Sequence, residues 1–335
     1  MEQKNKVLLE ISPAPHIHSK DTVQSIMLDV IIALMPAVAI AVFYFGINAI
    51  RIILVSIISC VLFELLVSKL LSQKIKIKDL SAVVTGLLLA LNLSATAPNW
   101  LIIIGAFVAI AIGKQIFGGI GYNIFNPALV GRVFLLIAFP VEMTSWVPPN
   151  PVINLKSFMT LKQLEPDAIS YATPLAILKG KGPSALPDNI HLDAFFGNIG
   201  GCIGEISALA LIIGGLYLLY KGHISLRIPL SFILTTFIIT GIFWAYKPTN
   251  YADPLFHILT GGLLLGAIFM ATDMVTSPST ETGMIIFGIG CGFITAIIRL
   301  FGAYPEGVSF SILIMNGLVP LIDKLTKPKR FGLQK

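Results

Sequence analysis

The chain has 335 residues, of which 56% are hydrophobic and only 12% charged, and its formal net charge is +6. A soluble domain carries about 25% charged residues and gives its helices polar faces, so a water-soluble globular enzyme is excluded. The positive charges flank hydrophobic segments, where membrane topology signals sit, which argues against nucleic-acid binding.

Residues 1–23 read as a short polar tail, and no small-residue cleavage site follows the first apolar run, so no cleavable signal peptide is expected. Ten apolar spans then follow, at 24–46, 48–71, 80–97, 99–117, 124–141, 200–220, 225–246, 254–273, 282–302 and 308–325. Most approach the roughly 20 residues that cross a bilayer as a helix. The third, fifth and tenth are short or interrupted by Gly, Asn or Pro. The stretch TGLLLALNLSATAPNW ends in small polar residues and Pro98, which predicts a half-helix or a broken helix. The fold class is therefore an all-α polytopic membrane protein with about ten transmembrane helices, some of them broken.

Lys4, Lys6, Lys20, Lys69, Lys74, Lys76, Lys78, Lys221, Arg227, Lys324, Lys327, Lys329, Arg330 and Lys335 all fall on one face of a ten-span layout. The positive-inside rule makes that face cytoplasmic and puts both termini there. The expected organisation is one integral membrane domain over 1–335. It comprises a cytoplasmic tail (1–23), a five-helix unit (24–141), an extracytoplasmic loop (142–199), a second five-helix unit (200–325) and a cytoplasmic tail (326–335). VVTGLLLALNLSAT at 83–96 resembles ILTGGLLLGAIFMAT at 258–272, with one inserted glycine. These lie in spans three and eight, so the two units read as inverted repeats, a plan common among transport proteins.

Four features could carry chemistry. In KQIFGGIGYNIFNPALVGRVF (Lys114 to Phe134), glycines break the chain before Asn123 and Asn126, and Pro127 starts a new helix. That arrangement suits a planar polar ring or an ion; it equally suits a tight connection capped by Asn. In MATDMVTSPST, Asp273 reads as a cap in a polar turn or as an ion ligand. Glu64, Glu205 and Arg299 are ionisable residues within apolar spans, with Asp29 and His257 near span ends. Such groups are costly in hydrocarbon, so Glu64 and Glu205 are ion-path candidates. Finally, DAISYATPL (Asp167 to Leu175) lies in the long loop. Pro174 biases Thr173 to an extended backbone, which can hold its hydroxyl clear of the chain. The cysteines Cys60, Cys202 and Cys291 are single and widely spaced, so no iron–sulfur or zinc ligation is expected.

Asp167-x-x-Ser170-x-Ala172-Thr173 resembles a flavinylation motif, D-x-x-[S/T]-x-A-T, whose threonine carries FMN through its phosphate. SPAPHIHSKDTVQSIMLDVIIALMPA, FGGIGYNIFNPALVGRVF and ATDMVTSP resemble the membrane-subunit family shared by two respiratory complexes. These are the Rnf ion-translocating oxidoreductase (its D subunit) and the sodium-pumping NADH–quinone reductase (its B subunit). The resemblance covers essentially the whole chain, and the short N-terminal tail favours the Rnf branch. Two residues depart from the usual pattern: Tyr171, where the family often has Gly, and Met274, where Pro is common.

The resemblance implies a flavoprotein subunit in a prokaryotic cytoplasmic membrane. Its complex passes electrons between ferredoxin and NAD and moves Na⁺ or H⁺. It implies covalent FMN on Thr173, installed by a separate flavin transferase, with Asp167, Ser170 and Ala172 completing the motif. It also implies non-covalent riboflavin in some members, which we expect near Asn123 and Asn126. The other subunits of the complex would be its partners. A stand-alone inverted-repeat ion or solute transporter explains the broken helices but not DAISYATPL.

Overall fold

The computed structural model describes residues 21–72, 77–149, 151 and 172–327. Every element among them is helical. In chain order these are α1 (Val23–Phe45), α2 (Ile47–Leu70), α3 (Ser81–Leu91), α4 (Asn99–Phe107), α5 (Pro127–Ala138) and α6 (Pro140–Met143). Then come α7 (Pro174–Lys181), α8 (Ile190–Phe196), α9 (Ala208–Tyr220), α10 (Arg227–Tyr246), α11 (Pro254–Leu259), α12 (Leu263–Leu265), α13 (Glu281–Phe301) and α14 (Val308–Leu325). Among the described residues, six stretches are long and apolar enough to cross a membrane: α1, α2, α10, α13, α14, and α4 with its continuation to Phe117. Helices α3, α5 and α9 are shorter and apolar.

The packing is that of a membrane protein. Leu54, Ile58, Leu62 and Leu66 form an exposed stripe on α2, all more than half exposed. Leaving one such side chain in water costs about 1.5–3 kcal/mol, so lipid or a neighbouring protein covers this face. Small residues instead line the close helix contacts. On α13 a Cβ at Gly288 would overlap Ser231 Oγ, and one at Gly292 would meet the Phe232 carbonyl at 2.7 Å. This spacing lets α10 and α13 approach backbone to backbone.

The expected break in the third span is present. Helix α3 stops at Leu91, and the chain runs without helix until α4. Backbone groups freed inside a bilayer need partners. Here the carbonyls of Leu93 and Leu91 accept from Ile203 and Gly204 N–H, at 3.0 and 2.9 Å. Residues 203–204 lie in a second non-helical stretch just before α9, so two broken segments satisfy each other. Gly204 is required by this contact: a Cβ there would overlap Leu91 Cβ.

The eighth span breaks differently. Gly261 and Gly262 have φ of +68° and +67° and separate α11 from α12. The similar stretches 83–96 and 258–272 thus fold unlike each other: the first is helical through its TGLLL segment and the second is interrupted there. A π-turn at Gly266–Met270 has its counterpart instead at Val108–Ile112, after α4.

The described end of the long loop, 172–199, is helical in part. It contributes α7 and α8, and Leu175, Ile190, Ala194 and Ile199 form a small core with Ala252 and Phe256.

Candidate functional site

Two polar centres lie near opposite ends of α9. Glu205 and Ser207 precede its first turn, whereas Leu218, His223 and Ile224 at its far end line a cavity. Thirteen helical residues rise about 20 Å, which sets their separation.

The space at this end, open solvent included, measures ≈ 820 Å³. Met27, Val30, Leu88 and Phe269 give it apolar walls, and Ser81, Lys114, Asn123, Asn126, His223 and Asp273 give it polar ones. The two asparagines predicted from sequence therefore meet at one site. Asn126 caps α5, accepting from Ala128 and Leu129 N–H at 3.1 and 3.4 Å, and donates to the Met270 carbonyl at 3.2 Å. Asn123 donates to the Phe125 carbonyl at 3.2 Å. Asp273 accepts from Val275 N–H and the Thr276 hydroxyl, as a capped turn requires.

Glu64 stands behind this cavity in a closed network. Lys114 Nζ donates to Glu64 Oε1 and Oε2 at 2.7 and 2.9 Å and to Ser81 Oγ at 2.6 Å. An ammonium has three donors, and all three are used. Gln115 Nε2 adds a further bond to Oε1 at 3.2 Å. Both charged side chains are buried. At the same end Asp29 accepts from Tyr217 OH at 2.7 Å and pairs with His223 Nε2 at 2.7 Å.

At the other end Thr173 has an extended backbone (φ −61°, ψ 154°), as Pro174 requires. Its hydroxyl is not clear of the chain, however. Thr173 is the N-cap of α7 and accepts from Ala176 N–H at 3.2 Å, with the residue buried. Thr-Pro is itself a helix-start signal, because Thr caps and Pro tolerates the first helical position. Pro174 thus acts twice, extending Thr173 and opening the helix beyond it, and only the first role was anticipated from sequence. Ala172 is exposed. Asp167 and Ser170 lie outside the described residues.

Helix α7 is fastened from below. Leu175 packs so closely on Gly261 that a Cβ there would overlap its Cδ1. Lys179 Nζ donates to the carbonyls of Gly302, at 2.5 Å, and Tyr304. Burial, with the Arg299 charge nearby, lowers the Lys179 ammonium below the usual lysine value.

Beneath α7 two buried arginines hold the broken helices. Arg299 donates to the carbonyls of His257, Thr260 (3.0 Å) and Gly261 (2.8 Å), the groups freed by the break after α11. Arg132 donates to Asn92 Oδ1 at 2.6 Å, pairs with Glu306 and reaches Cys202 Sγ at 3.4 Å. Glu205 lies in the same cluster, while Glu64 belongs to the cavity end. Arg132, Lys114 and Glu306 were not singled out from sequence. The signal for the first two was available, since each is an ionisable residue in an expected span.

The profile described as the NQR2, RnfD, RnfE family matches residues 10–332. The chain is 47% identical over 331 residues to the D subunit of the Na(+)-translocating ferredoxin:NAD(+) oxidoreductase complex of Acetobacterium woodii, covering 99% of this chain and 98% of that one. It is 44% identical over 339 residues to the D subunit of the proton-translocating ferredoxin:NAD(+) oxidoreductase complex of Clostridium ljungdahlii, covering 99% of each. It is 37% identical over 351 residues to the D subunit of the ion-translocating oxidoreductase complex of Escherichia coli (strain SE11), covering 98% of this chain and 100% of that one.

Proposed function

Because the chain belongs to the NQR2, RnfD, RnfE family, we propose that it is the membrane flavoprotein subunit of an Rnf-type, redox-driven ion translocase. The complex couples electron transfer between ferredoxin and NAD⁺ to movement of Na⁺ or H⁺. Its relatives of similar length carry those two activities in their names. The remaining subunits are its partners, and the exposed apolar stripe on α2 offers a face to them or to lipid. The termini lie in the cytoplasm and residues 142–199 outside it, following the lysine and arginine distribution.

The observation that carries the flavin assignment is Thr173 at the N-cap of α7, closing the D-x-x-S-x-A-T motif. The residues fit a phosphoester. Helix N-termini favour anions, and the acceptor position that Thr173 Oγ1 fills toward Ala176 N–H suits a phosphate oxygen equally. The packing of Leu175 on Gly261 and the Lys179 bonds keep this anchor fixed. FMN bound there supplies the electron-transfer chemistry, and Thr173 serves as anchor only. A flavin transferase is the partner for maturation.

The cavity fits a second, non-covalent ring such as riboflavin. Its walls are apolar with a few convergent polar groups. Asn126 is engaged as a helix cap and Ser81 between Lys114 and Asp79, so Asn123 is better placed to orient a ring by hydrogen bonds.

Purified from a host with an active flavin transferase, then denatured and run on a gel, the protein should fluoresce under ultraviolet light. Thr173→Ala should remove that signal while the protein stays in the membrane. A wild-type band without flavin, or a Thr173→Ala band that keeps it, would overturn the assignment.

A further inference from the structure

Glu205 is buried with one carboxylate oxygen unpaired. Its carboxylate lies between two glycines. A Cβ on Gly201 would come 2.6 Å from Oε1, and one on Gly262 would come 2.5 Å from Oε2. Oε1 accepts from Cys202 N–H at 3.0 Å. Oε2 is buried and has no hydrogen-bond partner. A buried carboxylate oxygen without a donor is costly, and a proton or a metal cation relieves the cost.

The surroundings say what kind of cation. Cys202 Sγ and one oxygen each of Glu205 and Glu306 lie within 4.8 Å of one another. Arg132 from α5 already pairs with Glu306 and touches Cys202 Sγ at 3.4 Å. Arg132 offsets one of the two carboxylates and Arg299 the other, so no net negative charge is left over. Arg299 from α13 faces the cluster across Gly261, its Nη2 2.7 Å from where a Cβ there would lie. A divalent ion would meet both guanidiniums, and the thiol already receives an Arg132 N–H. A single proton or Na⁺ is the smallest charge that relieves the unpaired Oε2, and the flanking Arg299 keeps it from being held too tightly to leave. The chain also provides a route: the Glu306 side chain is 14% exposed, whereas Arg132 is 5% exposed and Glu205 is buried.

We propose that Glu205 Oε2 is the seat of one exchangeable monovalent cation, a proton or Na⁺, shared with Glu306 and bordered by Gly262. The site lies directly under the helix that begins at Thr173, since Leu175 packs on Gly261 and Glu205 on the adjacent Gly262. This deepens the ion-translocating role proposed above and rests on it.

The test uses the assembled complex in membrane vesicles and dicyclohexylcarbodiimide, which modifies buried protonated carboxyls. Modified peptides are located by mass spectrometry. Glu205 should be labelled, and Glu205→Gln should remove that label alone. If the seat takes Na⁺, NaCl at ten times its dissociation constant should slow labelling about tenfold, with KCl inert. If it takes only a proton, labelling should fall as pH rises and ignore NaCl. Either outcome supports the site, and together they name the ion. Three results would overturn it: no label on Glu205 in an intact complex, labelling indifferent to both NaCl and pH, or a stoichiometric transition metal that Cys202→Ser removes. Ferredoxin-driven ion uptake by the same wild-type vesicles tests the underlying reading separately, because it does not depend on which carboxylate is labelled.

Discussion

The cavity end and the Thr173 end of this molecule both bury charge in an apolar bundle, yet they settle it in opposite ways. At the cavity end Lys114, Glu64, Ser81 and Gln115 form a closed set in which each ammonium proton has an acceptor. At the Thr173 end Glu205 Oε2, Arg299 Nε and both ring nitrogens of His257 are buried without partners. Asp79 Oδ2 is the exception at the cavity end. The contrast teaches that an ionisable residue in a membrane span is not one kind of feature. A completed network holds structure, and an incomplete one leaves capacity for something that comes and goes. On this ground Glu205 is the stronger ion-path candidate, and Glu64 reads first as a structural partner of Lys114.

The largest expected effect breaks the closed network. Lys114→Met leaves Glu64 without its cation, held only by Gln115, and should destabilise the protein by about 3–5 kcal/mol. Thermal unfolding in detergent should show it, and adding Glu64→Gln to the same chain should recover part of the loss. If Lys114→Met melts with the wild type, the network holds nothing. Next comes the junction of the two broken segments. Gly204→Ala drives a Cβ into Leu91 and should cost about 1–3 kcal/mol. Hydrogen exchange would report faster opening at Leu91–Leu93, and unchanged exchange there would contradict the paired-break description. Smaller again is the cap of α7. Thr173→Ala should lower local stability by about 0.5–2 kcal/mol, whereas Thr173→Ser should keep the cap; limited proteolysis around Pro174–Lys181 distinguishes them. The smallest effect should come from Glu205→Gln, less than about 1 kcal/mol in thermal unfolding, because Oε2 has no donor to lose. A loss as large as that of Lys114→Met would erase the comparison.

Much of the fold was legible in the sequence because lipid imposes simple rules. Length and apolarity gave the spans, and the run of Asn92, Ser94, Thr96 and Pro98 marked the break after α3. Asn126-Pro127 marked the start of α5, and its capping role followed from residue type alone. The partners of the buried charges were not legible. Arg132 meets Glu306 from 174 positions away, and Lys114 meets Glu64 from 50. No local pattern announces such pairs; only the fold brings them together. The repeat was the least reliable guide, because Thr85-Gly86 sits within a helix while Thr260-Gly261 ends one. The difference lies in the added glycine, whose positive φ stops the helix where α3 continues.

The central claim is that Thr173 carries the flavin of a redox-driven pump. Its most direct measurement is the mass of the proteolytic peptide containing Thr173, taken from the native complex. The expected result is an FMN phosphoester on that peptide, fragmenting to leave the modification site at Thr173 and nowhere else in the chain. An unmodified Thr173 in an electrically active complex, or a flavin found on another residue, would contradict it.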